Sequence, residues 1–149
     1  MHQEMSAIRT RKALRADLAQ VVEIDRQATG LAKPAYWTGI LRRYGRGARR
    51  RFLVAEGDGR ILGYIVGEVR DWEFGSPPCG WVFGLGVRPQ SREAGIATAM
   101  LAAISAAFRR QGVATVRTLI ARDNRLVLSF FRSQGMMAAP VIPLEKEIG

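Results

Sequence analysis

The residues with the most chemistry to offer lie in 81–101, WVFGLGVRPQSREAGIATAML. An apolar run ends at Val87, a polar stretch covers 88–94, and helical spacing begins near Gly95. A helix N-terminus carries N–H groups without intrahelical partners and a partial positive charge. A loop wrapped around that end binds anions, and a pyrophosphate suits it well. Gly95 has no side chain to hold phosphates off the backbone, and Ala97 keeps the next turn small. Arg92 adds a charge that reaches the same anion, and Thr98 adds a hydroxyl. The same glycine also fits a plain tight turn. Gly84 and Gly86 interrupt the apolar run, where glycine marks a bulge or a close backbone approach. A bulge would turn backbone groups out of the ladder and towards a ligand. The plainer reading is room for an aromatic, Trp81 or Phe83.

The elements that must position this stretch follow from spacing and turn chemistry. Residues 7–11 form a short strand. Residues 16–28 form a helix with Leu18, Val21 and Val22 as its apolar stripe and Gly30 at its end. A second helix covers 34–44, with Pro34 in its first turn and Ala35, Ile40 and Leu41 apolar. The segment 42–51, RRYGRGARRR, reads as an exposed loop. Strands 52–56 and 61–70 flank Gly57-Asp58-Gly59-Arg60, a hairpin turn. Residues 71–80 are a loop with Gly75, Pro77, Pro78 and Gly80, and strand 81–87 is stopped by Pro89. The helix 95–110 carries Ile96, Met100, Ile104 and Phe108 four apart. A strand at 116–121 and a helix at 124–134 follow, and a last strand after Met136 is kept from the sheet centre by Pro140 and Pro143. The order β-α-α-β-β-β-α-β-α-β predicts an α+β (mixed α/β) fold. It has a single central, mixed but mostly antiparallel sheet with helices on both faces.

Composition narrows the class. With 149 residues, 48% hydrophobic and 24% charged, the chain reads as one domain, 1–149, and wholesale disorder is excluded. No apolar run approaches the roughly 18 residues of a membrane span. Residues 1–15 lack the apolar core of a signal peptide, so the expected setting is cytoplasmic, with no membrane partner. Cys79 stands alone, which excludes an internal disulfide framework. With His2 the only histidine, a Cys/His zinc cluster is excluded too, and no metal is expected. The net charge is +10, and only Lys12, Lys33 and Lys146 are lysines among 23 basic residues. Such a field attracts nucleotides, phosphorylated cofactors, nucleic acid or acidic proteins. A GC-rich genome explains the arginine excess equally well.

The pattern Val87-x-Pro89 followed by Arg92-x-x-Gly95-x-Ala97 resembles the acyl-CoA-binding motif of the GNAT superfamily of N-acetyltransferases, Q/R-x-x-G-x-G/A at the same strand-loop-helix junction. Asn124, Val127, Phe131, Gly135 and Met136 resemble the family's N-x-x-A-x-x-x-Y-x-x-x-G-F segment with its spacing kept. Ile8-Arg9 with Asp17-Leu18 is similar to the family's opening, and the hairpin 52–70 fits its central strands. The resemblance covers nearly the whole chain. It implies that acetyl-CoA, as cosubstrate, enters a V-shaped opening between splayed parallel strands 81–87 and 116–121. Leu85, Gly86 and Val87 would bond the pantetheine arm. Arg92, Glu93, Ala94, Gly95, Ile96, Ala97 and Thr98 would hold the pyrophosphate, with Asn124 reaching the arm from the far side. A primary amine of a small molecule or protein would attack the thioester directly, with the Val87 N–H as oxyanion donor.

The chain also departs from the family pattern. Phe131 stands where the family often has a Tyr that protonates the departing thiolate, so water would serve as the acid; Phe131 equally fits an apolar stripe with Val127 and Phe130. Many relatives place an acid on the strand 81–87, which has none here. The candidate bases are Glu68, Asp71 and Glu73, each of which also suits an arginine as partner. Tyr36 and Trp37 lie where the family's acceptor pocket does, and they suit a core as well. The arginine loop points to an acidic acceptor or partner, and a short tail completing its sheet across a homodimer is a further option. The competing reading is a non-catalytic acyl-CoA sensor or a basic nucleic-acid-binding module, with Tyr44 stacking a base. No RNP-like or helix-turn-helix signature supports nucleic acid.

Overall fold

The alternation of apolar residues around a Gly-Asp-Gly-Arg turn builds the frame of the molecule. In the structure, a computed structural model that describes residues 7–92 and 94–149, β2 (Arg50–Gly57) and β3 (Arg60–Arg70) form a long hairpin. Asp58 and Gly59 take φ of 52° and 74° at its tip, the left-handed pair that matches strand twist. β1 (Arg9–Lys12) joins β2 antiparallel, β4 (Cys79–Val87) joins β3 antiparallel, and β5 (Val116–Thr118) joins β4 parallel. The sheet order is β1-β2-β3-β4-β5, mixed and mostly antiparallel.

The chain divides into two compact units, one ending at Leu119 and the other Ile120–Gly149. In the first, the two sheet faces are covered by different helices. α1 (Leu18–Thr29) and α2 (Pro34–Tyr44) bring Val21, Ile24, Trp37 and Ile40 onto Phe52, Val54, Tyr64 and Val66. α3 (Ile96–Arg110) buries Ile96, Met100, Ile104 and Phe108 on the opposite face, as their four-residue spacing predicts. Each such side chain contributes about 1.5–3 kcal/mol when fully buried. The seat of α3 is cleared by glycines: a Cβ on Gly80 would run into the Phe108 ring.

Two buried charges pin the edges of this unit. Arg11 donates to both Asp17 carboxylate oxygens, at 2.7 and 3.0 Å, and Asp17 also accepts the Leu14 N–H. The hydrogen bond from Arg11 holds the Asp17 carboxyl below the usual range, against the opposing pull of burial. Arg88, only 8% exposed, donates to the Ile61 carbonyl at 2.6 Å and to Gln20 at 3.0 Å.

In the second unit, α4 (Arg125–Ser133) begins at Asn124, whose side-chain oxygen accepts the Val127 N–H at 3.2 Å. Three expectations are corrected here. Residues 15–17 form a 3-10 turn, so α1 starts at Leu18 rather than 16. β5 stops at Thr118 instead of 121. No strand follows Met136 among the described residues; Pro140 and Pro143 break the ladder spacing, and Ile142, Leu144 and Ile148 stand exposed.

Candidate functional site

β4 changes character at one residue. Gly67 of β3 pairs with Val82, and the next residue of β3, Val66, pairs with Gly84, so Phe83 is an extra residue in β4. This is the bulge that Gly84 and Gly86 suggest from sequence. It reverses which backbone groups face β5. Before it, the Gly80 N–H donates to the Thr115 carbonyl at 2.9 Å, on the β5 side. After it, the Arg88 N–H donates to the Leu62 carbonyl at 2.8 Å, on the β3 side. Because successive residues alternate, Leu85 and Val87 turn their N–H groups away from β3. β5 does not meet them there: its pairing with β4 ends at Val82 and Thr118, where the Thr118 hydroxyl donates to the Val82 carbonyl at 2.8 Å. Residues 84–87 are accordingly half-exposed in a strand that is mostly buried at its start. The parallel pairing of β4 and β5 stops at the residue before the bulge, where β5 itself ends. The Gly86 carbonyl faces β3, where it lies 2.8 Å from a Cβ built on Gly63.

The end of β4 leads directly to α3. Arg88 anchors it to β3 and α1, then a 3-10 turn, Pro89–Ser91, carries the chain to Gly95. Gly95 takes φ of 76° as the N-cap of α3 and supplies no side-chain cap. The start of α3 thus takes no cap from the side chain of its N-cap residue. Arg92 is exposed and makes no ion pair with a described residue. Ile96 is fully buried and fixes the helix start; Ala94 and Ala97 are half-buried, and Thr98 is exposed. Glu93 lies outside the described residues.

The acids sit on the α2 side of the sheet. Glu68 is held between Arg70 at 3.3 Å and Arg50 at 3.9 Å. Register places Arg50, Glu68, Trp81 and Arg117 in one row across β2 to β5. Glu73 is half-exposed, 3.8 Å from Arg70, and Asp71 pairs with Arg49. Of the six arginines in 42–51, Arg49 and Arg50 meet carboxylates, those of Asp71 and Glu68. Tyr36 and Trp37, adjacent in sequence, part ways: Tyr36 is 46% exposed, and Trp37 is 3% exposed with its indole N–H on Asp25 at 3.0 Å. The second unit keeps the Asn124 side chain on its own helix cap and stacks Phe131 edge-on against Phe130, with ring centroids 5.1 Å apart. A separate open cavity of about 600 Å³, lined by Leu14, Arg15, Leu18, Leu41, Arg42 and Arg46 among others, includes none of these candidates.

Three residues at the site have roles that the sequence reading does not give them. Arg88 is charged and falls in an expected loop, yet it is a buried anchor. Phe83 is the bulged residue, and Tyr44 meets it edge-on with centroids 4.9 Å apart. The signal for the pair lay in the glycine that follows Phe83, not in either aromatic.

The comparisons agree with this geometry. The sequence model of the acetyltransferase (GNAT) family matches residues 18–136. An uncharacterized N-acetyltransferase of Methanocaldococcus jannaschii is 37% identical over 91 residues, 61% of this chain and 53% of that protein. The chain thus spans about half the length of that relative. Among solved structures, the aminoglycoside N-acetyltransferase AAC(6')-Iy in complex with CoA superposes with a TM-score of 0.84 at 16% identity, over 99% of both chains. The aminoglycoside 6'-N-acetyltransferase AAC(6')-Ih of Acinetobacter baumannii gives 0.79 at 18% identity, over 96% of this chain and 100% of that one. At these identities the likeness is one of fold. No described helix is long and apolar enough to cross a membrane. With the bulged β4, the uncapped α3 and the family match running from α1 to Met136, this chain belongs to the acetyltransferase (GNAT) family.

Proposed function

We propose that this chain is an acetyl-CoA-dependent N-acetyltransferase, acting as one functional domain over 1–149. It passes an acetyl group directly from the thioester to a primary amine of a small molecule or protein. The observation that carries the reading is a β4 edge without a ladder partner, running into the uncapped start of α3. An extended, amide-bearing arm fits such an edge as an added strand, and a pyrophosphate fits a helix N-terminus. Leu85 and Val87 are oriented to hold the arm, and Arg92 with the first turn of α3 to hold the phosphates. Asn124 and Phe131 belong to the same proposal as contacts of the arm, tested by substitution alone.

Acetyl-CoA supplies the activated acyl group. The Val87 N–H stabilises negative charge on the carbonyl oxygen, a role worth about 10²–10³-fold in rate for one donor. The amine must lose a proton to attack, and Glu68 or Glu73 accepts it, directly or through water. Phe131 has no proton to give, so water protonates the thiolate, an adequate leaving group with a thiol pKa near 8.5. Arg50 and Arg70 beside Glu68 support an acceptor that carries an acidic group beside its amine. Tyr36 supports the acceptor side as an exposed aromatic; Trp37 serves from the core. The exposed Ile142, Leu144 and Ile148 support a homodimer, which sedimentation tests, and a cytoplasmic setting is tested by fractionation.

Thermal unfolding with and without acetyl-CoA tests the cofactor. At about 100 times its Kd the ligand adds about 2.7 kcal/mol, a rise of several degrees in Tm. Arg92→Ala should shrink that rise. No rise at millimolar acetyl-CoA would refute the reading.

A further inference from the structure

Tyr64 is an aromatic of β3 whose Cα pairs with Gly86 of β4. Its ring does not stay over its own strand. A Cβ built on Gly86 would lie 2.5 Å from Tyr64 Cε1, 2.6 Å from Cζ and 2.7 Å from the hydroxyl oxygen. A Cβ on Gly84 would lie 3.9 Å from Cε2. The phenol therefore crosses β4, spans the two glycines and ends with its hydroxyl over Gly86. That is the stretch of β4 that β5 no longer pairs. The glycines do make room for an aromatic, and it comes from the neighbouring strand.

The hydroxyl is unusual for its surroundings. Tyr64 is 5% exposed, yet among the described residues its hydroxyl has no hydrogen-bond partner. Among the described residues Arg117 Nε is the side-chain atom found both fully enclosed and unpaired, so the Tyr64 hydroxyl is not fully enclosed. The ring is fixed from behind: Trp37 meets it edge-on at 4.7 Å, and Trp37 is itself tied to Asp25. A phenol held this rigidly, with an unmade hydrogen bond beside an open strand edge, is arranged for a ligand and not for the fold.

We propose that the Tyr64 hydroxyl donates a hydrogen bond to the thioester carbonyl, as a second donor beside the Val87 N–H. This inference rests on the acetyl-CoA reading above. Burial, with a smaller contribution from Asp25, raises the Tyr64 pKa above its ordinary value. The group therefore keeps its proton across the physiological range. It cannot hand that proton to a thiolate, whose acid is far stronger. Its role is a neutral donor that stabilises charge, not an acid that replaces the tyrosine missing at Phe131.

The test is isotope-edited infrared spectroscopy of [1-¹³C]acetyl-CoA bound to the native chain and to Tyr64→Phe. A hydrogen bond lowers the carbonyl stretch, so Tyr64→Phe should raise it while the Kd for CoA stays within about twofold. Without ligand, the Tm of Tyr64→Phe should be unchanged or higher, because the lost hydroxyl satisfied nothing in the fold. Gly86→Ala, which displaces the ring, should raise the stretch in the same way. Bound acetyl-CoA with the same stretch in native and Tyr64→Phe would overturn the inference and leave the cofactor reading standing. A lower ligand-free Tm would also overturn it, by showing an internal partner. Failure of the native chain to bind acetyl-CoA would overturn both.

Discussion

The two halves of β4 are made of similar residues and do opposite work. Residues 80–82 are paired on both edges, with β3 on one side and β5 on the other. Residues 84–87 keep β3 and have no β5 partner. Both halves carry glycines, and the glycines have different purposes. Gly80 lets Phe108 of α3 sit flush on the sheet, while Gly86 lets Tyr64 cross it. One half is a packing surface and the other a binding edge, and a single extra residue, Phe83, separates them. The lesson is that a bulge in mid-strand does more than bend the sheet. It changes which N–H groups point outward, and so Val87 rather than Gly86 faces the gap.

The contrast can be broken from either side. The largest effect should come from the closed half. Phe108→Ala removes a fully buried ring and should cost about 3–5 kcal/mol in urea unfolding. The acetyl-CoA affinity of the molecules that remain folded should hold. Next, Gly86→Ala puts a methyl against the Tyr64 ring and should cost about 1–3 kcal/mol by overpacking. Here acetyl-CoA binding should weaken by more than the stability loss accounts for, as read by calorimetry at a temperature where the variant is folded. A smaller effect comes from a site remote from both halves. Asp17 has a lowered pKa in the fold, so its contribution is complete above the unfolded value, about 3.9, and fades as pH falls through the folded one. Asp17→Asn should therefore flatten the acid limb of the stability-pH curve while leaving acetyl-CoA binding at pH 7 within about twofold. The smallest effect belongs to Arg92→Ala. An exposed guanidinium contributes about 1 kcal/mol or less, so the CoA Kd should rise a few-fold and steepen less with salt.

Local chemistry was legible in the sequence, and long-range partnerships were not. The turn at 57–60 and the helix Pro34–Tyr44 read off directly, because Asp-Gly geometry and a first-turn proline act on their neighbours alone. The start of α3 at Gly95 read off for the same reason. β5 was drawn three residues too long, since its end is set by its pairing with β4, which stops at Val82. Trp37 and Tyr36 looked alike in the sequence; Asp25, twelve residues earlier, decides which one is buried. Glu68 read as a candidate base, and only the register brings Arg50 to its carboxylate. Nothing in the sequence singles out Tyr64, because its reach to Gly86 depends on a pairing 22 residues apart in the chain.

The most direct measurement is amide hydrogen exchange along β4, resolved by residue, with and without acetyl-CoA. Without ligand, the Leu85 and Val87 amides should exchange faster than those of Gly80 and Val82. With acetyl-CoA they should slow by about tenfold or more as the arm takes the place of β5, while Gly80 and Val82 change little. Protection spread evenly over both halves, or confined to 80–82, would contradict the assignment of the open half of β4 as the acyl-CoA edge.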